Sequence, residues 1–160
     1  MALSQWYAKV KQGVQLRPLA NVAEQTLLDG EQALLFGTKV KLTSHDPTGA
    51  PQAQPDVLAG TQPSATNVEL PANAVIGEGQ LLLTTRRLTW RSGEITKTFL
   101  LDQIRALHLP WRNIMTFAHG AAWYALTMEG DSAIKWVAHT CCALDAWAGA
   151  KRPAVAVSPY

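Results

Sequence analysis

The sequence predicts a mostly β domain with a C-terminal α-helix: about seven antiparallel strands in a small sandwich or barrel, capped at one open end by one helix. Three observations carry that prediction. Short apolar runs separated by turn residues recur from Gln80 onward, the rhythm of a strand meander. The densest of them, Gly77 to Gly93, is a hairpin in which Leu81, Leu83, Leu88 and Trp90 alternate onto one face around a Thr85-Arg86-Arg87 corner. After Thr140 the spacing turns helical, and it stops at Pro153. With 160 residues, 48% apolar and 16% charged, the chain has about one domain's length and enough apolar residues for a core.

Taken in order, Ser4 to Val14 predicts a short helix, with Trp6, Val10 and Val14 on one side. Asp29-Gly30 is a turn signal. Glu31 to Leu42 follows as one or two strands, with Leu34, Phe36 and Val40 facing inward. Residues 43–77 then lose all alternation. Their 35 residues include five prolines and no Lys or Arg, which predicts a disordered or loosely pinned insertion, touching the body at most near Val68 to Leu70. Beyond the hairpin, strands are expected at Thr96 to Leu101, Arg105 to Leu109, Asn113 to Ala118, Ala121 to Met128 and Ser132 to Ala138. Thr140 reads as the N-cap of a helix reaching about Lys151, with Leu144 and Trp147 packed over the core of two nearly orthogonal sheets. The resulting division is an N-terminal extension (1–26), a domain (27–150) holding the 43–77 insertion, and a tail (151–160).

The run Gly79-x-Leu81-x-Leu83-Thr84-x-x-Arg87-Leu88-x-Trp90, with Glu31 after Asp29-Gly30 and the Phe99-Leu-Leu-x-x-Ile104 run, resembles the bacterial PH, GRAM and GLUE branches of the PH-like superfamily. GLUE domains show a closely similar Leu-rich string ending in Arg-Leu-x-Trp-Arg. The resemblance covers roughly residues 27–150 without the insertion. It implies a PH-like fold, which is usually a binding platform. The motif consists of fold-bearing residues, so it speaks to architecture before ligand.

No catalytic motif is present. The chain has no Gly-x-Ser-x-Gly elbow, no phosphate-binding glycine loop and no His pair at metal-ligand spacing. His139-Thr-Cys141-Cys142 is the one local group of soft ligands, and it lacks a second pair to close a four-ligand set. Its cysteines read as small apolar helix residues; being adjacent, they are no disulfide staple. His108 is expected to point outward between Leu107 and Leu109. No cofactor or metal is expected.

Charge is where a surface shows. The net is +2, too small to suggest nucleic acid. Between Arg86 and Arg112, however, six cations stand against two anions, while the rest of the chain holds eight against ten. Such a stretch suits an acidic partner peptide or an anionic headgroup, although outward charges on solvated strands give the same pattern. The candidate contact residues are Arg86, Arg87, Arg91, Lys39, Lys41, Trp111 and Arg112. PH-like phosphoinositide sites usually draw on basic residues in the first strand-strand loop; here that loop is the cation-free insertion. The expectation is therefore a non-catalytic binding or scaffold module whose partner is another protein or complex subunit. The alternative is an anionic-lipid or ubiquitin-binding trafficking adaptor of GLUE/GRAM type. No stretch approaches a membrane span, so an intracellular, soluble or peripheral protein is expected. The cationic, acid-free first 23 residues give a slight hint of organelle targeting.

Overall fold

The computed structural model describes residues 3–12, 31–45, 72–93, 95–120, 122–130, 132–147 and 149–157. The Gly77 to Gly93 hairpin forms as its alternation dictates. Strands β2 (Ala72–Thr84) and β3 (Arg87–Ser92) pair Leu81 with Trp90 and Leu83 with Leu88. All four side chains are fully buried, each contributing about 2 kcal/mol of transfer free energy. Trp90 also donates its indole N–H to the Val40 carbonyl at 2.9 Å, so Trp90→Ala would remove both a large core side chain and a buried hydrogen bond. Gly79 makes the pairing possible. A Cβ there would stand 2.2 Å from the Arg91 carbonyl oxygen, so no larger residue fits without pushing β3 away.

Strand β1 (Ala33–His45) precedes β2, and after β3 come β4 (Ile95–Leu100), a 3-10 turn (Leu101–Gln103), β5 (Ile104–Trp111), β6 (Ile114–His119) and β7 (Ala122–Thr127). Helix α1 (Leu3–Gln12) stands before the strands. Helix α2 (Ser132–Ala146) and a short β8 (Val155–Val157) follow them. The strands form one continuous sheet in the order β4-β3-β2-β1-β7-β6-β5-β8. Two separate sheets were expected. Instead, β1 pairs with β2 along its length and with β7 only over Lys41 to His45. The sheet bends there, so that Phe99 of β4 meets Phe117 of β6 and Tyr124 of β7 at ring-centroid distances of 4.9 and 4.8 Å. The two halves thus share one core, which includes Leu42, Leu81, Leu107, Met115 and Leu126.

Several expected elements are corrected. Ser132 to Ala138 is not a strand but the first half of α2. Ile134, Trp136 and Ala138 fit a period of two, yet Ala133, Val137, Thr140, Cys141 and Leu144 continue a helical stripe, all buried. Fifteen residues without Gly or Pro settle the ambiguity toward helix. Thr140 therefore caps nothing; inside the helix its hydroxyl donates to the Trp136 carbonyl at 2.8 Å. The helix ends at Ala146 rather than Lys151. The expected insertion loses both ends: Thr43 to His45 belongs to β1 and Ala72 to Gly77 to β2. Val68 to Leu70 lies outside the described residues. Part of the expected tail, Val155 to Val157, joins the sheet parallel to β5, so the strands are not all antiparallel.

Phe36 also departs from expectation. Leu34 and Val40 are buried as expected, but Phe36 is 51% exposed. Register shifts between Ala33 and Leu35 and between Gly37 and Val40 reset the alternation. Leu35 faces inward opposite Leu83, and Phe36 faces outward opposite Leu82. His108 departs in the other direction. Its neighbours Leu107 and Leu109 point inward, yet His108 is itself only 1% exposed. The face it shares with Thr116, Trp123 and Ala125 is not a solvent face, since all three are buried too. Burial pulls the His108 pKa down to about 4.

Candidate partner-binding surface

The β2–β3 corner turns its double arginine into two different structures. Arg87 reaches back to Glu31, whose carboxylate is wholly buried, with Nη2 at 3.0 Å from Oε1 and Nε at 3.0 Å from Oε2. This is the parallel fork that guanidinium and carboxylate geometry favours. Thr84 completes the cluster. Its hydroxyl donates to Glu31 Oε2 at 2.7 Å and accepts the backbone N–H groups of Arg86 and Arg87, each at 3.1 Å. Gln32 N–H donates to Thr85 Oγ1 as well, which ties the segment before β1 to the corner. Arg87 is thereby a member of the fold's polar core.

Arg86 turns the other way. Its guanidinium lies over the Trp147 ring, 4.3 Å from the centroid, a cation–π contact joining the corner to the end of α2. Its carbonyl accepts the Leu101 N–H at 2.9 Å. Trp147, expected to close the barrel from the helix, sits just past α2 and packs partly against the core.

The remaining candidates lie farther apart. Arg91 is exposed on β3, level with Gln80 of β2 and Thr96 of β4. Lys41 is exposed on β1, opposite Glu78 on one side and Thr127 on the other. Lys39 is exposed within the β1 bulge, where its φ of 56° places a non-glycine residue in the left-handed region. Trp111 is 58% exposed at the end of β5, and Arg112 follows in the exposed turn to β6. The pairings Trp111 to Ile114, Ile114 to Thr127 and Thr127 to Lys41 run as one row. Trp111 and Lys41 therefore share a face but stand three strand steps apart, about 14 Å along the sheet. The seven residues do not converge on one cradle.

Sequence reasoning missed the Glu31–Arg87 pair, because its partners lie 56 residues apart with no local periodic signal between them. It also missed the seat of α1. Tyr7 donates its hydroxyl to Asp145 of α2, and Asp145 receives Arg152 at 3.7 Å. Burial, with this hydrogen bond adding to it, raises the Tyr7 pKa above its ordinary value. Cys142 touches the Tyr7 carbonyl, and burial pushes its thiol up to about 11. His139 directs Nδ1 to the Lys135 carbonyl at 2.8 Å. Among the described residues no group of three or more His, Cys, Asp or Glu is placed to hold a metal ion, and no helix is long and apolar enough to cross a membrane.

No family model matches the chain, and no curated protein matches it. Among solved structures, the Vps36 N-terminal PH domain is similar to it at 11% identity and a TM-score of 0.47, the match covering 70% of this chain and 79% of that one.

Proposed function

We propose that the chain is a non-catalytic binding or scaffold module of PH-like architecture that contacts another protein or complex subunit. The observation that carries this reading is the dispersal of the cations. Arg87 is engaged by buried Glu31 and Arg86 by Trp147, while Arg91, Lys41 and Arg112 stand on separate strands and turns. A phosphorylated headgroup wants several donors aimed at one point; a protein surface tolerates donors spread over a sheet. The order of elements, seven strands and then a long helix, also agrees with the resemblance of the Leu81 to Trp90 string. The proposed domain spans the strands and α2, with residues 46–71 as the insertion.

Vesicle flotation tests the ordering of partners. With phosphatidylcholine vesicles, with and without phosphoinositide, the expected result is no flotation beyond the neutral control. Salt-sensitive flotation that is lost in an Arg91→Ala/Lys41→Ala variant would overturn the protein-first reading.

A further inference from the structure

We infer that the outer face of β1–β4, around Phe36, Leu82 and Arg91, docks an acidic segment of a partner protein that lays an apolar side chain on Phe36. The inference rests on the reading of the chain as a binding module, and it names the surface and the chemistry of the partner.

The register assembles the face. Phe36 pairs with Leu82, Leu82 with Thr89, and Thr89 with Thr98, giving one row across four strands. Their inward neighbours Leu81, Leu83, Leu88 and Phe99 are buried, so by strand alternation this row faces outward. Phe36 is 51% exposed, Leu82 is half-buried, and Leu100, two residues beyond Thr98, is 38% exposed. An exposed Phe fixed on β1 by its pairing with β2, beside a second apolar side chain, has apolar area to bury. It is a suitable anchor point for a partner.

Charge selects the occupant. On this side of β1–β3, exposed Lys41 and Arg91, with Lys39 in the β1 bulge, stand against the single anion Glu78 among the described residues. Arg87 is held by Glu31, and Lys97, opposite Trp90, lies on the other side of β4. Arg91 lies two residues along β3 from Thr89, on the same side of the strand, about 7 Å from the apolar row. A segment with acids flanking an aromatic or aliphatic residue complements that arrangement. A second copy complements it less well, because a net basic face would meet its own like. A membrane fits poorly for a geometric reason. Phe36 lies in the plane of the sheet with β2 alongside, not at a projecting loop tip from which it could pass the headgroups.

The test selects displayed random short peptides on the wild-type protein, then measures the enriched peptides against variants. Expected is enrichment of sequences combining Asp or Glu with an aromatic or Leu, with binding that weakens as salt rises. Binding should fall about tenfold or more in both Phe36→Ser and Arg91→Glu, and should be unchanged in Trp111→Ser. Amide chemical-shift changes in the wild-type protein should centre on β1–β3, which locates the site without reliance on any variant. Enriched peptides that lack acids, or that bind the Phe36 and Arg91 variants as well as wild type, would overturn the docking face and leave the binding-module reading standing. Absence of any enriched peptide overturns the docking face as well. If that absence comes with flotation on phosphatidylcholine–phosphatidylserine vesicles, the protein-first reading falls too.

Discussion

Arg87 and Arg91 lie four residues apart on one strand, and the fold uses them in opposite ways. Arg87 closes a fork on a carboxylate with no solvent exposure, beside a threonine that satisfies three further polar groups. Arg91 stands exposed in the same strand, between exposed Gln80 of β2 and Thr96 of β4. What separates them is the partner that the chain brings from far away. Glu31, just before β1, reaches the β2–β3 corner and forks with Arg87, whereas Arg91 stays exposed toward the other end of β3. A basic run in sequence is thus two things in the structure: a clasp at one end and an open surface at the other.

The largest expected effect separates these roles. Arg87→Ala leaves Glu31 buried with the Thr84 hydroxyl as its remaining side-chain donor in the cluster. Removing one partner of a buried pair costs about 3–5 kcal/mol. Arg91→Ala, at an exposed position, is expected to stay within about 0.5 kcal/mol of wild type. Urea unfolding of the two variants measures the contrast. Equal stabilities would show that the Glu31 fork is no stronger than a surface pair. The double substitution Glu31→Leu/Arg87→Met removes both charges together, and is expected to recover much of what Arg87→Ala loses.

A second contrast concerns the two halves of the sheet. On β1–β4 the outer face is open at Phe36, whereas on β5–β7 it is buried around His108, Thr116 and Trp123. His108 makes that difference measurable with pH. In the fold it stays neutral down to about pH 4, while the unfolded chain takes up the proton near 6.5. Between those values the unfolded state binds more protons, so stability falls as the pH drops through the window, levels off below it, and is unaffected above it. Integrated over the shift, the loss is about 3 kcal/mol. Burial lowers the pKa values of His119 and His139 in the same direction. Comparing denaturant midpoints at pH 7 and pH 4, a His108→Gln variant should show a clearly smaller acid loss than wild type. An unchanged acid loss would mean that His108 is hydrated in solution.

The α1 seat offers a smaller perturbation, away from either face of the sheet. Tyr7→Phe removes the hydrogen bond to Asp145 and is expected to cost about 1 kcal/mol. Because Cys142 lies against the Tyr7 carbonyl with its thiol pushed up to about 11, loosening α1 should speed its alkylation in the native protein. Labelling as slow as in wild type would show that α1 holds without Tyr7.

How far the sequence reaches can be judged residue by residue. The Leu81 to Trp90 hairpin was legible because alternation and a turn agree, and nothing distant competes with them. Phe99 was legible for the same reason, whereas Leu101 is buried from the 3-10 turn that follows β4 and not from the strand on which it was expected. Phe36 was misread because a bulge is set by pairing with β2, which periodicity within β1 cannot reveal. Ser132 to Ala138 was misread because apolar residues at every second position satisfy strand and helix alike over seven residues. The candidate surface was half legible. Composition located the basic stretch, but which arginine is consumed by the fold depends on Glu31, a residue that no local pattern ties to Arg87.

Lys39 gives the finest of these contrasts, since it is both a candidate contact and a backbone oddity. Its φ of 56° costs an L-residue about 1–2 kcal/mol, which glycine avoids. Glycine in turn gives up about 0.5–1 kcal/mol by freeing the unfolded chain. The strain term is the larger, so Lys39→Gly should stabilise the protein by about 0.5 kcal/mol even though it deletes a cation. Lys39→Ala keeps the strain and deletes the same charge, so it isolates the contribution of the side chain. If Lys39→Gly is the more stable variant and both bind the enriched peptides equally, Lys39 serves the bulge that turns Phe36 outward, and Arg91 carries the charge of the surface. A loss of peptide binding in both variants would instead place Lys39 on the surface beside Arg91.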